Sequence, residues 1–212
     1  LKFNSKHQLK NNWTFGTDLN LASDKSFRNF YFNDDESFLT NRINISKFKK
    51  RSFQDIDIVA YQSLREDVSS GTIPMAGPHY RYQALGEGFG GKYNYQANYM
   101  NLMRQDGNEY HRVVNKLGWE YGWQSASGYT LTSEINNRVD VYQLISEDGA
   151  KYSSTNREKG TLLRFLPQAS LTWQHPWLLR HKHYKQIIKP TAQLILDSNR
   201  SYYLKQTPPN ED

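Results

Sequence analysis

One glycine-rich run has the residue types and the spacing that could bind a nucleotide. Gly86, Gly88 and Gly91 match the pattern G-x-G-x-x-G. That pattern holds a pyrophosphate when a helix follows and directs its N-terminus at the phosphates. A strand pattern follows here, so we interpret these glycines as a tight turn and the start of a sharply twisted strand. The sequence therefore predicts no nucleotide cofactor.

Two further groups could hold a metal ion. His175, His181 and His183 lie close together in the chain, but they are interleaved with cationic residues that oppose a metal, Arg180, Lys182 and Lys185. An acidic run could bind a divalent ion through its carboxylates, Asp34, Asp35 and Glu36. We interpret the first group as a basic solvated loop and the second as an acidic one. No G-x-S-x-G nucleophile motif occurs, and we predict neither a metal, nor any other cofactor, nor an enzyme.

The elements that position these groups are strands. Residues 90–103 and 111–124 alternate with period 2, which is typical of strands because successive side chains leave on opposite faces. An Asp-Gly pair at 106–107 predicts the turn between them. One face of this hairpin is aromatic and aliphatic and the other is polar. Strands of this length fit a membrane-spanning barrel, which needs roughly 9–11 residues per crossing.

Composition is compatible with that fold. The chain has 212 residues, 14% of them aromatic, and contains no cysteine and no apolar run long enough for a transmembrane helix. It starts without a secretory signal, so we expect an excerpt or a processed chain. The net charge of +6 could attract nucleic acid or anionic lipid. The charges are spread along the chain, which favours a mixed solvated surface and no nucleic-acid partner.

The pattern predicts about ten antiparallel strands. Beyond the central hairpin, strands are predicted within residues 1–9, 12–21, 38–48, 53–64, 79–85, 129–144, 161–173 and 187–196. The connections alternate between short turns and longer loops, as in outer-membrane barrels with short periplasmic turns and long external loops. The connection 174–186 is the exception, because it is long where a short turn is due. Open sheet edges are costly in lipid, so we expect an arc of a larger closed barrel.

Each face of this barrel segment has candidate residues. Those predicted to face a hydrated lumen are Lys92, Asn94, Gln96, Arg112, Lys116, Glu120 and Arg138. Those predicted to face lipid or to form an aromatic belt at the headgroup level are Trp13, Tyr93, Tyr95, Trp119, Trp123, Tyr129 and Trp173. The alternative for the aromatic residues is core filling in a soluble sheet. The lumen charges either attract phosphorylated sugar groups or pair with each other, and the sequence leaves both open.

A family resemblance rests on the order of several short motifs. Arg164 and Pro167 head one strand, Pro190 precedes the next, and Asn210, Glu211 and Asp212 follow near the end of the chain. Upstream, the segments 13–16, 30–32 and 91–104 add to the pattern. Together they resemble the barrel domain of the lipopolysaccharide-assembly protein family LptD, also called organic solvent tolerance protein. The resemblance covers essentially the whole chain, as an interior portion of that barrel.

The resemblance implies an outer-membrane barrel that inserts lipopolysaccharide into the outer leaflet through a lateral opening. It also implies three partners besides outer-membrane lipid: lipopolysaccharide, an LptE-like lipoprotein that plugs the lumen, and an LptA-like periplasmic bridge that docks on an N-terminal domain outside this excerpt. The motif residues are expected to be structural, since a proline in a sheet marks a bulge, an edge or an opening. The rival functions are a porin-type solute channel and a soluble β-rich carbohydrate-binding or nucleic-acid-binding module.

Overall fold

The fold is a set of strands joined in chain order. The structure, a computed structural model, describes residues 1–25, 37–148 and 160–198. Within these residues two short 3-10 turns occur, at Lys10–Asn12 and Ser70–Thr72, and no α-helix is long and apolar enough to cross a membrane. The strands are β1 (Lys2–Gln8), β2 (Trp13–Asn20), β3 (Phe38–Lys49), β4 (Ser52–Ser63), β5 (Met75–Gly88), β6 (Gly91–Met103), β7 (Gly107–Gln124), β8 (Thr130–Asp148), β9 (Gly160–Gln174), β10 (Trp177–Arg180), β11 (Lys185–Ile188) and β12 (Thr191–Asp197).

Ten of these strands form one antiparallel sheet. Its order is β1 to β9 followed by β12, so each strand pairs with the next one along the sheet. Strands β10 and β11 pair only with each other and form a separate hairpin between β9 and β12. Among the described residues the sheet does not close, and β1 and β12 are its edges. The predicted all-β antiparallel architecture is confirmed.

Several strands are longer than the sequence pattern predicts. β5 begins at Met75, inside the predicted loop 65–78, because Met75 pairs with Met103 of β6. β7 begins at Gly107, where Gly107 pairs with Asp148 of β8. These extensions are polar or contain proline, so alternation does not reveal them. Backbone pairing with the neighbouring strand continues through them nonetheless, with a register shift between Ala76 and His79.

The glycine-rich run is a turn, as predicted. β5 ends at Gly88 and β6 begins at Gly91, and between them Phe89 and Gly90 have φ values of 53° and 76°. A hairpin turn with two positive φ values matches the twist of its strands. A strand rather than a helix follows, so the nucleotide interpretation is excluded. The ring of Tyr93 lies across Gly86, where any Cβ would collide with it.

The sheet is a single layer whose polar face is the more buried one. Extensive contacts join only strands that pair directly. Among the described residues, buried side chains on the polar face include Asp55, Asp57 and Asp140, and a small apolar cluster lies near the long loops, formed by Leu102, Tyr110, Tyr142, Leu144 and Leu162. Because the described strands form one layer, most burial arises where side chains of one face converge. The polar face is therefore concave and the apolar face convex.

Candidate functional site

The polar face gathers all seven residues predicted to line a lumen. Residues paired across antiparallel strands share a face. Lys92 pairs with Glu120, Gln96 with Lys116, and Lys116 with Arg138. Asn94 lies opposite Gly118 and Arg112 opposite Met100, in the same parity. The alternation in the sequence therefore identifies one continuous polar face; that this face lines a hydrated lumen remains a prediction.

One charged cluster, which we call the Asp55–Asp57 cluster, spans β3, β4 and β5. Asp55 and Asp57 are almost fully buried, with 2% and 3% of their side chains exposed. Arg42 donates to both, from Nε to Oδ2 of Asp57 at 2.8 Å and from Nη2 to Oδ2 of Asp55 at 3.1 Å. Arg81 forms ion pairs with both carboxylates from the opposite side. His79 approaches Asp57 with 3.1 Å between Nδ1 and Oδ1.

A second cluster, the Asp140 cluster, joins β8 and β9. Asp140 has no exposed side-chain surface. Arg138 donates from Nε to Oδ1 at 2.8 Å, and Arg164 donates from Nε to Oδ2 at 2.5 Å. A buried carboxylate needs such partners, because removal of a charge from water is costly unless it is paired and hydrogen-bonded. In these two clusters, acidic groups are neutralised by arginines, of which Arg42, Arg81 and Arg164 lie on neighbouring strands and Arg138 lies on the same strand as Asp140.

At the edge of the Asp140 cluster, two positive charges face each other on neighbouring strands. Lys116 on β7 is directly opposite Arg138 on β8, and Lys116 is exposed with no carboxylate among its described contacts. Like charges directly opposite on a sheet destabilise it. A concavity of about 440 Å³ opens here, lined by Gln96, Asn136, Gln168, these two cations and the carboxylate of Asp197, among others. The wall at this point offers positive charge and amide groups to a solute.

A second hollow of about 460 Å³ lies nearer the short turns. Lys92, Glu120 and Glu134 line it, with Asn94 and Asn136 beside them. Arg51 and Glu87 form an exposed ion pair at its rim, 3.1 Å apart. Both signs of charge are present, so this hollow attracts neither anions nor cations strongly.

The opposite face exposes apolar side chains. Ile43, Ile58, Leu117, Ile135 and Leu171 each expose 40–54% of their surface. Six of the seven predicted lipid-facing aromatic residues belong to this face by register. One of them, Trp13, lies opposite Lys47, whose Nζ is 5.1 Å from the indole ring. Tyr129 directly precedes β8. Their contact with lipid remains a prediction.

One residue of the apolar face is buried, whereas its neighbours on that face are exposed. Leu39, on the same face as Ile43 and Ile45, is 1% exposed. Its cross-strand partner Gln62 exchanges two hydrogen bonds with the backbone of Ala22, at 2.9 and 3.1 Å. The chain after β2 therefore folds over this end of the sheet, and alternation alone does not reveal such a cover.

The aromatic residues at the short-turn end form a chain of ring contacts. Trp123 and Tyr129 meet edge to face with 5.6 Å between ring centroids. His175 then contacts Tyr129 at 6.2 Å, Trp173 at 6.1 Å and Trp177 at 5.3 Å. Aromatic side chains prefer such tilted arrangements. Three residues of the predicted belt, Trp123, Tyr129 and Trp173, are therefore connected through ring contacts in one row, which continues to Trp177 of the β10–β11 hairpin. Their place at the headgroup level remains a prediction.

The family motif residues have structural positions in the sheet. Pro167 lies in β9 opposite Asn137, and the β8–β9 register is unbroken there, so Pro167 marks no bulge. Its carbonyl accepts from the Ser198 amide at 3.3 Å, on the β12 side. In an antiparallel ladder the N–H and C=O groups of one residue point to the same neighbouring strand. Because the carbonyl of Pro167 points to β12, the N–H that proline lacks would also have pointed there. The β8–β9 ladder therefore loses no hydrogen bond at Pro167. Pro190 immediately precedes β12, where proline is tolerated.

Some predicted groups lie outside the described residues. These are Asn210, Glu211 and Asp212, the acidic run Asp34, Asp35 and Glu36, and the segment 30–32. The histidines do not converge on one point. His175 is in the aromatic row, whereas His181 lies in the tip of the β10–β11 hairpin and stacks on Tyr184 with 4.4 Å between ring centroids.

A long-loop segment carries a compact charge pair. Arg65 donates to Asp67 twice, at 2.9 and 2.5 Å. The hydrogen bond from Arg65 lowers the pKa of Asp67, and the positive charge of Arg65 and Lys25 adds to the effect. The turn at the start of this loop therefore keeps its carboxylate ionised.

The sequence did not reveal the arginines of the Asp55–Asp57 cluster. Counting back from the tight turn between β3 and β4 could have identified one of them, Arg42. Lys49 pairs with Ser52, and counting back along the strands places Asn44 opposite Asp57 and Ser46 opposite Asp55, with Arg42 two residues further. Arg81 was hidden because the β4–β5 register shifts between Asp57 and Val59.

A long-stranded, single-layer antiparallel sheet with an apolar convex face and a charged concave face belongs to the class of outer-membrane barrel proteins. Comparison with known proteins agrees with that class: the family described as LptD, LPS transport system D, matches residues 1–212. The chain belongs to the LptD family, and its sheet is a segment of that barrel. The family transports and assembles lipopolysaccharide at the outer membrane of Gram-negative bacteria, which confirms the predicted function and location. No curated protein matches the chain.

Proposed function

We propose that this segment forms part of the barrel wall whose concave polar face holds the charged saccharide of lipopolysaccharide, while its convex face contacts lipid. Transport is then a physical process of solvation and steering, with no covalent chemistry. The supporting observation is the Lys116–Arg138 pair. Arg138 is already paired with Asp140, whereas Lys116 has no carboxylate among its described contacts, so an anion bound beside this pair would offset the charge of Lys116. Phosphorylated saccharide is the anionic cargo of this family.

The two clusters explain why the wall tolerates this charge. In the Asp55–Asp57 and Asp140 clusters, acidic residues are sequestered by arginines, so they do not repel an anionic solute. Among the described polar-face residues at the edge of the Asp140 cluster, Gln96, Asn136 and Gln168 supply neutral hydrogen-bonding groups beside the cations. A sugar presents hydroxyl groups and phosphates together, and this mixture of amides and cations can bind both.

The specific partners are part of the same proposal. An LptE-like lipoprotein would occupy the lumen against the polar face, and an LptA-like bridge would deliver lipopolysaccharide through a periplasmic domain outside residues 1–212. The charged concave face gives such a plug a polar surface to contact. Outer-membrane lipid surrounds the apolar face.

Photo-crosslinking in living cells tests the wall assignment. A photoreactive amino acid is placed in the full-length protein at Lys116 or Lys92 on the polar face, and at Leu117 on the apolar face as the adjacent control. We expect lipopolysaccharide adducts, identified by their mobility and by antibody, at the polar positions. Leu117 should label phospholipid and give little lipopolysaccharide adduct. Equal lipopolysaccharide labelling at 116 and 117 would contradict the proposal.

A further inference from the structure

The β10–β11 hairpin lies at the short-turn end of the sheet, where a tight turn would suffice. It contains residues 177–188, and every residue from 176 to 189 is exposed. It pairs only with itself. Its exposed apolar residues are Trp177, Leu178, Leu179, Tyr184, Ile187 and Ile188, with Ile187 exposed by 70%. An exposed apolar hairpin is an interaction surface rather than a solvated loop.

The hairpin changes character from its root to its tip. Its first two cross-strand pairs are apolar: Trp177 with Ile188 and Leu178 with Ile187. Its last pair is Arg180 with Lys185, two like charges directly opposite each other. Such a pair weakens a sheet unless an anion neutralises it. The gradient from apolar to cationic matches the gradient from acyl chain to headgroup at a membrane surface.

The charge of the segment has a single sign. Residues 175–190 contain Arg180, Lys182, Lys185 and Lys189 and no Asp or Glu. A cationic segment next to a bilayer is attracted to anionic lipid headgroups, and this attraction decays within a Debye length. A protein partner would need a matching acidic and apolar surface, whereas an anionic bilayer provides both features in the observed order.

The root of the hairpin is tied to the aromatic row of the barrel. Trp177 contacts His175 with 5.3 Å between ring centroids, and His175 contacts Trp173 of β9 and Tyr129 at the start of β8. Aromatic side chains in this position lie at the headgroup level of a membrane. The row therefore places the hairpin root at the same depth as the bilayer surface, beside the lipid rather than far into the periplasm.

We propose that the β10–β11 hairpin is a membrane-surface anchor that binds anionic phospholipid headgroups of the periplasmic leaflet, with its apolar root in the interface and Arg180, Lys182 and Lys185 on the phosphates. This inference rests on the lipid-facing assignment in the proposed function and on the periplasmic side that the sequence pattern predicts for the short turns. Such an anchor fixes the barrel wall to the leaflet at the side where lipopolysaccharide enters.

The test uses the full-length protein with its partners, reconstituted in vesicles of phosphatidylcholine with or without phosphatidylglycerol. A photoreactive amino acid is introduced at Leu179 in the hairpin, at Ala126 in a short polar turn of the same end, or at Leu194 on the apolar face of β12. The measured quantity is the yield of phospholipid adduct. We expect a high yield at Leu194 in both vesicles and a low yield at Ala126. At Leu179 the yield should rise several-fold with phosphatidylglycerol and fall again at high salt.

A charge variant completes the test. The double variant K182Q/K185Q should abolish the phosphatidylglycerol-dependent rise at Leu179. K49Q/K50Q, which removes two charges from another short turn of the same end, should leave it intact. A protein adduct at Leu179, or a lipid yield independent of phosphatidylglycerol and of K182Q/K185Q, would overturn the anchor while leaving the proposed wall function standing. A low lipid yield at Leu194 would instead overturn the lipid-facing assignment and the anchor with it.

Discussion

Arg164 on β9 and Asp140 on β8 form a buried ion pair on the polar face, with 2.5 Å between Nε and Oδ2. Arg164 belongs to the motif by which the chain resembles its family, and Asp140 is its fully buried partner. Arg138 completes the arrangement from the other side of the carboxylate. The motif arginine therefore holds two long strands in register across the middle of the wall.

Loss of the Asp140 carboxylate should destabilise the barrel strongly. In D140N, Arg138 and Arg164 lose their shared anion, and breaking a buried pair of this kind costs about 3 kcal/mol. The matched control is E120Q, the same carboxylate-to-amide change at an exposed position of the same face. Urea unfolding followed by the electrophoretic mobility of the folded barrel should show a lower midpoint for D140N alone. Similar midpoints for the two variants would remove the structural role assigned to Asp140.

The neighbouring residues Asn94 and Tyr95 should respond in opposite ways to arginine. Tyr95 lies on the apolar face, and a charge on the lipid side costs roughly 2–4 kcal/mol at the bilayer midplane and less toward the interfaces. Asn94 lies on the polar face, where arginine stays hydrated. The amount of folded protein in the outer membrane should drop sharply for Y95R and little for N94R. Equal levels of the two variants would mean that the faces are wrongly assigned.

The contact between Gly86 and Tyr93 should be visible as a coupling energy. A side chain at 86 collides with the Tyr93 ring, and overpacking of this kind costs about 1–3 kcal/mol. G86A should therefore lower the free energy of unfolding, and should lower it less when Tyr93 is replaced by alanine. G122A is the control, since nothing lies within 4 Å of a Cβ at that position. Additive effects of G86A and Y93A would show that the ring does not rest on Gly86.

Neutralising Lys116 should separate stability from function. K116Q removes the repulsion with Arg138 and should raise the free energy of unfolding by a few tenths of a kcal/mol, within the roughly 0.2–1 kcal/mol of a cross-strand pair. Lipopolysaccharide crosslinking at the adjacent polar position Gln96 should decrease in the same variant. K92Q is the control, because Lys92 faces Glu120 and its loss relieves no repulsion. A K116Q protein with unchanged crosslinking would show that the pair does not contact cargo.

The sequence predicted the faces of the sheet better than its boundaries. The alternating pattern predicted which face of the sheet each side chain in 92–124 belongs to. This works because a one-residue slip in register would move every side chain to the opposite face. The start of β5 at Met75 and the β10–β11 hairpin at residues 177–188 escaped prediction. There, strand formation depends on backbone pairing with a partner strand, and no periodic side-chain pattern is required. The ion-pair clusters escaped for a related reason, since their contacts between strands join residues 13–26 positions apart whose alignment depends on the register.

The most direct test of the account is a spin-label scan along β6 from Lys92 to Tyr99 in the full-length protein in lipid vesicles. One label is introduced per variant, and its accessibility to oxygen, which concentrates in lipid, is compared with its accessibility to a water-soluble nickel chelate. The account predicts alternation with a period of two residues, with oxygen favoured at 93, 95, 97 and 99 and the chelate favoured at 92, 94, 96 and 98. Uniform accessibility, or alternation in the opposite phase, would contradict it.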